Sequence, residues 1–121
     1  MAKQAILVVD HGSRRPEANA LLDGVVARIR ASLGDEALIA HAHMELATPS
    51  LAEAFAACVA AGAEEVVVVP FFLGPGRHVT EDIPRLAAEA AALHPGVRHR
   101  VTAALGDHPL IAEAVIARAR G

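Results

Sequence analysis

Aromatic residues are scarce in this sequence, which contains no tryptophan, no tyrosine and only three phenylalanines. Proteins that bind single-stranded nucleic acid usually stack the bases on aromatic side chains, and this chain has few to offer. The formal net charge of −3 also lacks the basic excess that attracts a phosphate backbone. We therefore expect no nucleic-acid partner.

Cysteine is almost absent as well, because Cys58 is the only one in the chain. A single thiol cannot form an internal disulfide, a thiolate zinc site or the ligand set of an iron–sulfur cluster. Cys58 lies in an alanine-rich segment that favours a helix. We predict that it is a buried structural thiol and not a reactive one.

Long hydrophobic runs are missing too. No apolar stretch reaches the roughly 20 residues that a membrane-spanning helix needs. The first residues, Met1–Gln4, lead directly into a predicted strand and show no signal-peptide pattern. The sequence therefore predicts a cytoplasmic protein without a membrane partner.

The apolar residues that are present follow two alternating patterns. Short continuous apolar runs predict buried strands at 5–9, 37–44, 65–69 and 97–103. Helical periodicity and alanine-rich segments predict helices at 16–33, from 48 to about 62, at 80–93 and at 109–120. This alternation predicts an α/β fold, in which residues 1–121 form a single domain. Its four-stranded parallel sheet is expected to carry helices on both faces.

The start of the second helix has two candidate capping residues. Thr48 could cap the helix with Pro49 in the first helical position. Ser50 and Glu53 also have the spacing of a capping box. We predict that the helix starts at Thr48-Pro49.

Three polar residues follow the carboxyl ends of predicted strands. His11 follows the first strand and precedes Gly12, which permits a tight turn, while Glu45 lies near the end of the second. His78 ends a loop rich in glycine and proline after the third strand. Parallel sheets bind ligands at this edge, so we expect the three residues to converge. Neutral imidazoles are good ligands for iron, cobalt, nickel and zinc. Glu45 is a further ligand, a proton acceptor or an ordinary solvated residue.

Several neighbouring residues have weaker claims to a role. Asp10 either orients His11 or caps a turn. His41 and His43 share one face of the second strand, and we favour core or surface roles for them over metal ligation. Guanidinium groups near the two key histidines suit the binding of carboxylates, unless they are ordinary surface charge. They belong to Arg14, Arg15 and Arg77.

Three segments of the chain carry a resemblance to a known family. They are Leu7–Arg14 (LVVDHGSR), Met44–Leu51 (MELATPSL) and Val67–Val79 (VVVPFFLGPGRHV). A strand followed by His-Gly-Ser is moderately specific, and the third segment at this distance from it is highly specific. Over nearly its whole length the chain resembles the small CbiX/SirB-type sirohydrochlorin chelatases, a branch of the class II chelatases.

The resemblance implies an enzyme that inserts a divalent metal into a sirohydrochlorin-type tetrapyrrole. It implies that His11 and His78 bind the incoming metal and that Glu45 lies in the same cleft. The metal, Co²⁺, Fe²⁺ or Ni²⁺, is a substrate, and no organic cofactor is needed. Longer relatives contain two such domains facing a shared cleft. A chain of this length is therefore expected to form a homodimer with its site between the subunits.

The tetrapyrrole partner carries many carboxylates. The resemblance and the loop chemistry indicate which residues would bind them. Arg14 and Arg77 would bind them, together with backbone N–H groups around Ser13 and Gly76. One histidine or Glu45 would accept a pyrrole proton. The sequence does not identify the metal, so the cobalamin, sirohaem and nickel-tetrapyrrole pathways all stay open.

Three other classes of protein share parts of this pattern. A phosphoacceptor receiver domain needs an aspartate after the middle strand and a late lysine, whereas Pro70 ends that strand and Lys3 is the only lysine. A phosphohistidine enzyme using His11 would have an arginine just before it, and Asp10 stands there. A non-catalytic carrier of divalent metal would use the same histidines and is the open alternative to a chelatase.

Overall fold

The structure, a computed structural model, describes residues 3–121. It contains the strands β1 (Gln4–Asp10), β2 (Leu38–His43), β3 (Glu65–Pro70) and β4 (Arg98–Val101). All pair in parallel, in the spatial order β2-β1-β3-β4. The inner strands β1 and β3 are the most continuously apolar, as strands covered on both faces are expected to be. The predicted four-stranded parallel sheet is confirmed.

Four helices alternate with these strands: α1 (Pro16–Leu33), α2 (Leu51–Ala60), α3 (Ile83–Ala92) and α4 (Pro109–Arg120). Helix α1 covers one face of the sheet, because its buried residues pack against Val8 and Ile39. Helices α2 and α3 pack on the opposite face, against Leu7 and Val9. The expectation of helices on both faces is therefore correct. No helix of residues 3–121 is long and apolar enough to cross a bilayer.

Helix α2 begins at Leu51, and Ser50 is its N-cap. The hydroxyl of Ser50 accepts a hydrogen bond from the Glu53 N–H at 3.1 Å, and the Glu53 carboxylate accepts one from the Ser50 N–H at 2.8 Å. This capping box satisfies two N–H groups that would otherwise lack partners. The predicted start at Thr48-Pro49 is wrong, since both residues lie in the preceding loop.

Two element boundaries near the carboxyl edge of the sheet differ from the prediction. Strand β4 ends at Val101 and not at residue 103, because the chain then turns so that Leu105 donates its N–H to the Phe72 carbonyl at 3.1 Å. A π-helical turn, His78–Asp82, precedes α3. Such turns interrupt regular helices, often at functional sites.

Cys58 lies in the core between α2 and the sheet and is 4 % exposed. Burial raises the pKa of its thiol above the ordinary value, because the thiolate would lose its hydration. The predicted buried structural thiol is confirmed.

Candidate metal site

The carboxyl ends of β1, β2 and β3 bring together the three residues expected to converge. Nε2 of His11 lies 3.0 Å from Oε1 of Glu45. The ring centroids of His11 and His78 are 4.8 Å apart, with the rings inclined by 64°. These side chains are 41 %, 53 % and 45 % exposed in the order His11, Glu45 and His78. An incoming ion can therefore reach all three from solvent.

A close crossing of two loops places His11 beside Glu45. The Met44 N–H donates to the Asp10 carbonyl at 2.8 Å, and the Glu45 N–H donates to the His11 carbonyl at 3.0 Å, so pairing continues beyond the ends of β1 and β2. Gly12 follows with a φ of +93°, and a Cβ there would lie 1.8 Å from the Glu45 carbonyl oxygen. Only glycine fits this crossing, because it lacks the Cβ and tolerates the positive φ.

The two histidines differ in how their ring nitrogens are used. Nδ1 of His78 is 2.9 Å from Oδ2 of Asp82, and when Nδ1 donates in such a bond the neutral ring carries its lone pair on Nε2, the atom that can bind a metal. His11 has a partner at each nitrogen, because Nδ1 is 3.0 Å from the Gly12 carbonyl oxygen and Nε2 is 3.0 Å from Oε1 of Glu45, so a metal at its Nε2 must replace the contact with Glu45. The hydrogen bond from His78 also lowers the pKa of Asp82, which keeps that carboxylate ionised.

Sequence reasoning missed Asp82 as the partner of His78. The sequence signal that could have revealed this pairing is the spacing of four residues between His78 and Asp82, which places two side chains on the same side of a helical turn. A carboxylate that bonds the far nitrogen of a histidine ligand is a common feature of metal sites, because it fixes the ring orientation.

Asp10 does not have either of the roles considered for it. Its carboxylate contacts Nδ1 of His43 at 2.5 Å and not His11, because the strand register sets Asp10 directly opposite His43. His43 is 2 % exposed, and Nε2 of His41 lies 3.1 Å from Oδ1 of Asp23. These positions agree with the core and surface roles that we favoured for the two histidines.

The predicted carboxylate-binding residues differ in whether their polar groups are already engaged within the protein. The Ser13 N–H already donates to the Asn19 side chain at 2.9 Å, so this group is engaged within its own loop. Arg14 is exposed, and the exposed Arg77 contacts Glu81 with its Nε at 3.1 Å. Gly76 accepts hydrogen bonds that begin the π-helical turn. Both guanidinium groups lie where an anionic ligand could reach them.

An open cavity of about 550 Å³ lies between the loop that precedes His78 and the loop that follows β4. Its lining residues are Leu73, Pro75, Ala103, Ala104, Gly106 and Asp107. The volume is within the range of small-molecule sites, about 300–1,000 Å³. Sequence reasoning did not place this wall, because small residues such as alanine and glycine carry little chemical signal.

The three central residues do not form a closed metal site. Among residues 3–121 no cluster of three or more His, Cys, Asp or Glu side chains is arranged to hold an ion. His11 instead contacts Glu45 on one side and His78 on the other. Closed ligand sets are typical of structural metals, whereas an open set suits an ion that must leave again.

Fold and site together define a class of protein: a parallel α/β domain that presents two histidines and a carboxylate at the open carboxyl edge of its sheet. The chain belongs to the CbiX family, whose model matches residues 5–121.

Three comparisons with known proteins agree with this membership. The chain is 48 % identical over 110 residues to the chloroplastic sirohydrochlorin ferrochelatase of Arabidopsis thaliana, covering 91 % of this chain and 48 % of that protein. It is 34 % identical over 125 residues to a sirohydrochlorin cobaltochelatase of Methanococcoides burtonii, covering 97 % and 95 %. The sirohydrochlorin chelatase SirB of Bacillus subtilis subspecies spizizenii, solved with cobalt, superposes with a TM-score of 0.88 at 32 % identity. That match covers 98 % of this chain and 50 % of SirB.

Length separates these relatives into two groups. The chain spans about half the length of the Arabidopsis and Bacillus proteins, but nearly all of the Methanococcoides protein.

Proposed function

We propose that this protein is a sirohydrochlorin chelatase that inserts a divalent metal into the tetrapyrrole. The observation that carries the proposal is the position of His11 between Glu45 and His78 at the open edge of the sheet. Relatives named as ferrochelatases and cobaltochelatases support the same reaction class.

The geometry suggests how the metal is received and released. The ion replaces the contact between His11 and Glu45, so that Nε2 of His11 and Nε2 of His78 bind it through neutral imidazoles, which hold it less tightly than thiolates would. The ring nitrogens of the macrocycle then replace the imidazoles as the ion's ligands. Two pyrrole N–H protons leave as the metal enters: Glu45 accepts one, and an imidazole released by the ion accepts the other.

The cavity between the loop that precedes His78 and the loop that follows β4 offers a wall for the macrocycle, with an apolar side formed by Leu73 and Ala104. Arg14 and Arg77 are proposed to bind its peripheral carboxylates. The metal is Co²⁺, Fe²⁺ or Ni²⁺, and no organic cofactor is part of the proposal. One domain offers a single wall to a wide, flat ligand, so we propose a homodimer whose second copy supplies the other wall.

An insertion assay tests this proposal. Purified protein is mixed with sirohydrochlorin and with Co²⁺, Fe²⁺ or Ni²⁺ in turn, and the change in the macrocycle's absorption spectrum is followed. His11→Ala and His78→Ala should each lose most of the rate, whereas His99→Ala, a change at an exposed histidine of β4, should not. Full activity in both site variants would contradict the assignment.

The same assay separates the chelatase from the non-catalytic metal carrier. A carrier would bind the ion through the same histidines but would not accelerate its insertion over the uncatalysed rate.

Light scattering tests the homodimer, and a fully active monomer would contradict it. The cytoplasmic location expected from the sequence also belongs to the proposal, and fractionation of cells that express the protein tests it.

A further inference from the structure

The proposed mechanism does not use the contact between the buried His43 and the partly buried Asp10. Nδ1 of His43 lies 2.5 Å from Oδ1 of Asp10. His43 is 2 % exposed and is the one polar residue buried within the part of the chain that the structure describes. A buried polar pair often stabilises a fold no better than apolar residues of similar volume. The position of this pair therefore calls for a reason other than stability.

Asp10 and His43 are the last pair of residues in the pairing of β1 with β2, and they lie directly opposite each other. Immediately beyond this pair, the two backbone hydrogen bonds of the crossing join residue 44 to Asp10 and Glu45 to His11. The side-chain contact thus lies at the point where regular strand pairing gives way to the two loops that carry His11 and Glu45.

Other atoms of His43 also lie at the two loops. Its backbone N–H donates to the Pro49 carbonyl at 2.9 Å, which ties the end of the Glu45 loop back to β2. Its Cβ would be only 3.2 Å from a Cβ built on Gly12, so His43 is a close neighbour of the crossing between Gly12 and Glu45.

We propose that Asp10 and His43 are positioning residues for the metal site. Their contact holds the ends of β1 and β2 in a single alignment, which keeps the Glu45 carboxylate 3.0 Å from Nε2 of His11. They act through His11 and Glu45 and do not touch the metal. The inference rests on the proposed function for its link to metal binding, but the placement of His11 can be measured without any metal.

The chain offers a matched control in His41. It lies on the same strand and the same face as His43, and it also bonds a carboxylate, that of Asp23 at 3.1 Å. That partner belongs to α1, however, and not to the loop that carries His11. Loss of the His41 contact should leave the metal site in place.

Three substitutions at position 43 separate positioning from simple filling of space. His43→Asn places an amide near the position of Nδ1, so it can still donate to Asp10, whereas His43→Gln places its amide near Nε2 and cannot. Glutamine is closer to histidine in volume, so a purely structural role predicts that it is tolerated at least as well. His43→Leu removes the polar contact altogether.

The experiment measures Co²⁺ affinity by calorimetry and the His11 ring resonances of the metal-free protein by NMR. We expect His43→Gln and His43→Leu to weaken Co²⁺ binding about 10–100-fold, the usual range for partners of metal ligands. The His11 resonances should shift in both variants. His43→Asn and His41→Leu should leave affinity and spectrum near those of the wild type. If His43→Leu does not fold, the comparison of Asn with Gln decides the question.

A double-mutant cycle with Glu45→Gln tests the route of the effect. If His43 acts by placing Glu45, His43→Gln should slow Co²⁺ insertion into sirohydrochlorin much less in the Glu45→Gln background than in the wild type. Additive effects, or equal behaviour of the Asn and Gln variants, would overturn the inference. A wild-type protein that binds no Co²⁺ would overturn the proposed function instead, and the metal-free spectra would still decide whether His43 positions His11.

Discussion

Replacement of Gly12 by alanine is the most direct test of the loop crossing that builds the site. The new Cβ would lie 1.8 Å from the carbonyl oxygen of Glu45, whereas real Cβ atoms do not approach closer than 3.0 Å. The two loops must therefore separate by more than 1 Å. The obstacle is backbone and not a flexible side chain, so the movement is transmitted to the residues on either side.

The structure also sets the expected size of the effect on stability. A non-glycine residue held at a φ of +93° costs about 1–3 kcal/mol. Overpacking at the crossing adds about 1–3 kcal/mol. The free energy of unfolding should therefore fall by about 2–6 kcal/mol, a large share of the 5–15 kcal/mol that is typical of a domain.

Gly96→Ala is a matched control for this variant. Gly96 has nearly the same φ, +96°, but a Cβ there would have no atom within 4 Å. The control should lose only about 1–3 kcal/mol of the free energy of unfolding, because its positive φ is unfavourable for alanine, and it should keep the metal site intact. Urea denaturation measures both variants, and the difference between them isolates the clash with Glu45.

Function should respond more sharply than stability. The separation carries Glu45 away from His11, and a misplacement of about 1 Å can reduce a rate about 100-fold. Insertion rates and Co²⁺ titrations of the folded variant, at a temperature well below its unfolding transition, measure this loss. If Gly12→Ala matched Gly96→Ala in stability and kept wild-type metal affinity and rate, the crossing would not position the site.

Other contacts lead to further predictions. Asp82→Asn should weaken Co²⁺ binding about 10-fold, since the ring of His78 loses its charged partner, and unchanged affinity in calorimetry would contradict this. Ser50→Ala should lower the free energy of unfolding by about 1 kcal/mol at neutral pH, measured by urea denaturation. Hydrogen bonds from Ser50 hold the pKa of Glu53 below its ordinary value of 4.5, so their contribution is present above pH 4.5 and is lost as pH falls through the lowered pKa. Glu53→Gln, whose side chain cannot ionise, should therefore lose less stability than the wild type over that acidic range. Cys58 should react with a thiol reagent only after denaturation, and rapid labelling of the native protein would contradict its burial.

Much of the fold could be predicted because the apolar pattern is local information. Uninterrupted apolar runs predicted β1 and β3, and the alternation of strands with helices predicted a parallel sheet. The predicted element boundaries were wrong where two local signals competed or where a contact distant in sequence ended the element. Pro49 suggested a first helical position, but the capping box between Ser50 and Glu53 decided the start of α2. The end of β4 depended on a hydrogen bond to Phe72, which is distant in sequence.

By itself, the sequence determined the type of fold, the sheet edge to examine and the identity of the residues there. Asp10 shows what it could not determine, because proximity in sequence suggested His11 as its partner while the register of β1 with β2 gave it His43. The 3.0 Å contact of His11 with Glu45, the pairing of His78 with Asp82 and the cavity after β4 were likewise decided by tertiary structure. The physical reason is the same in each case. Side-chain partners across strands and loops depend on register and on the path of the backbone, which are settled only when the elements pack together.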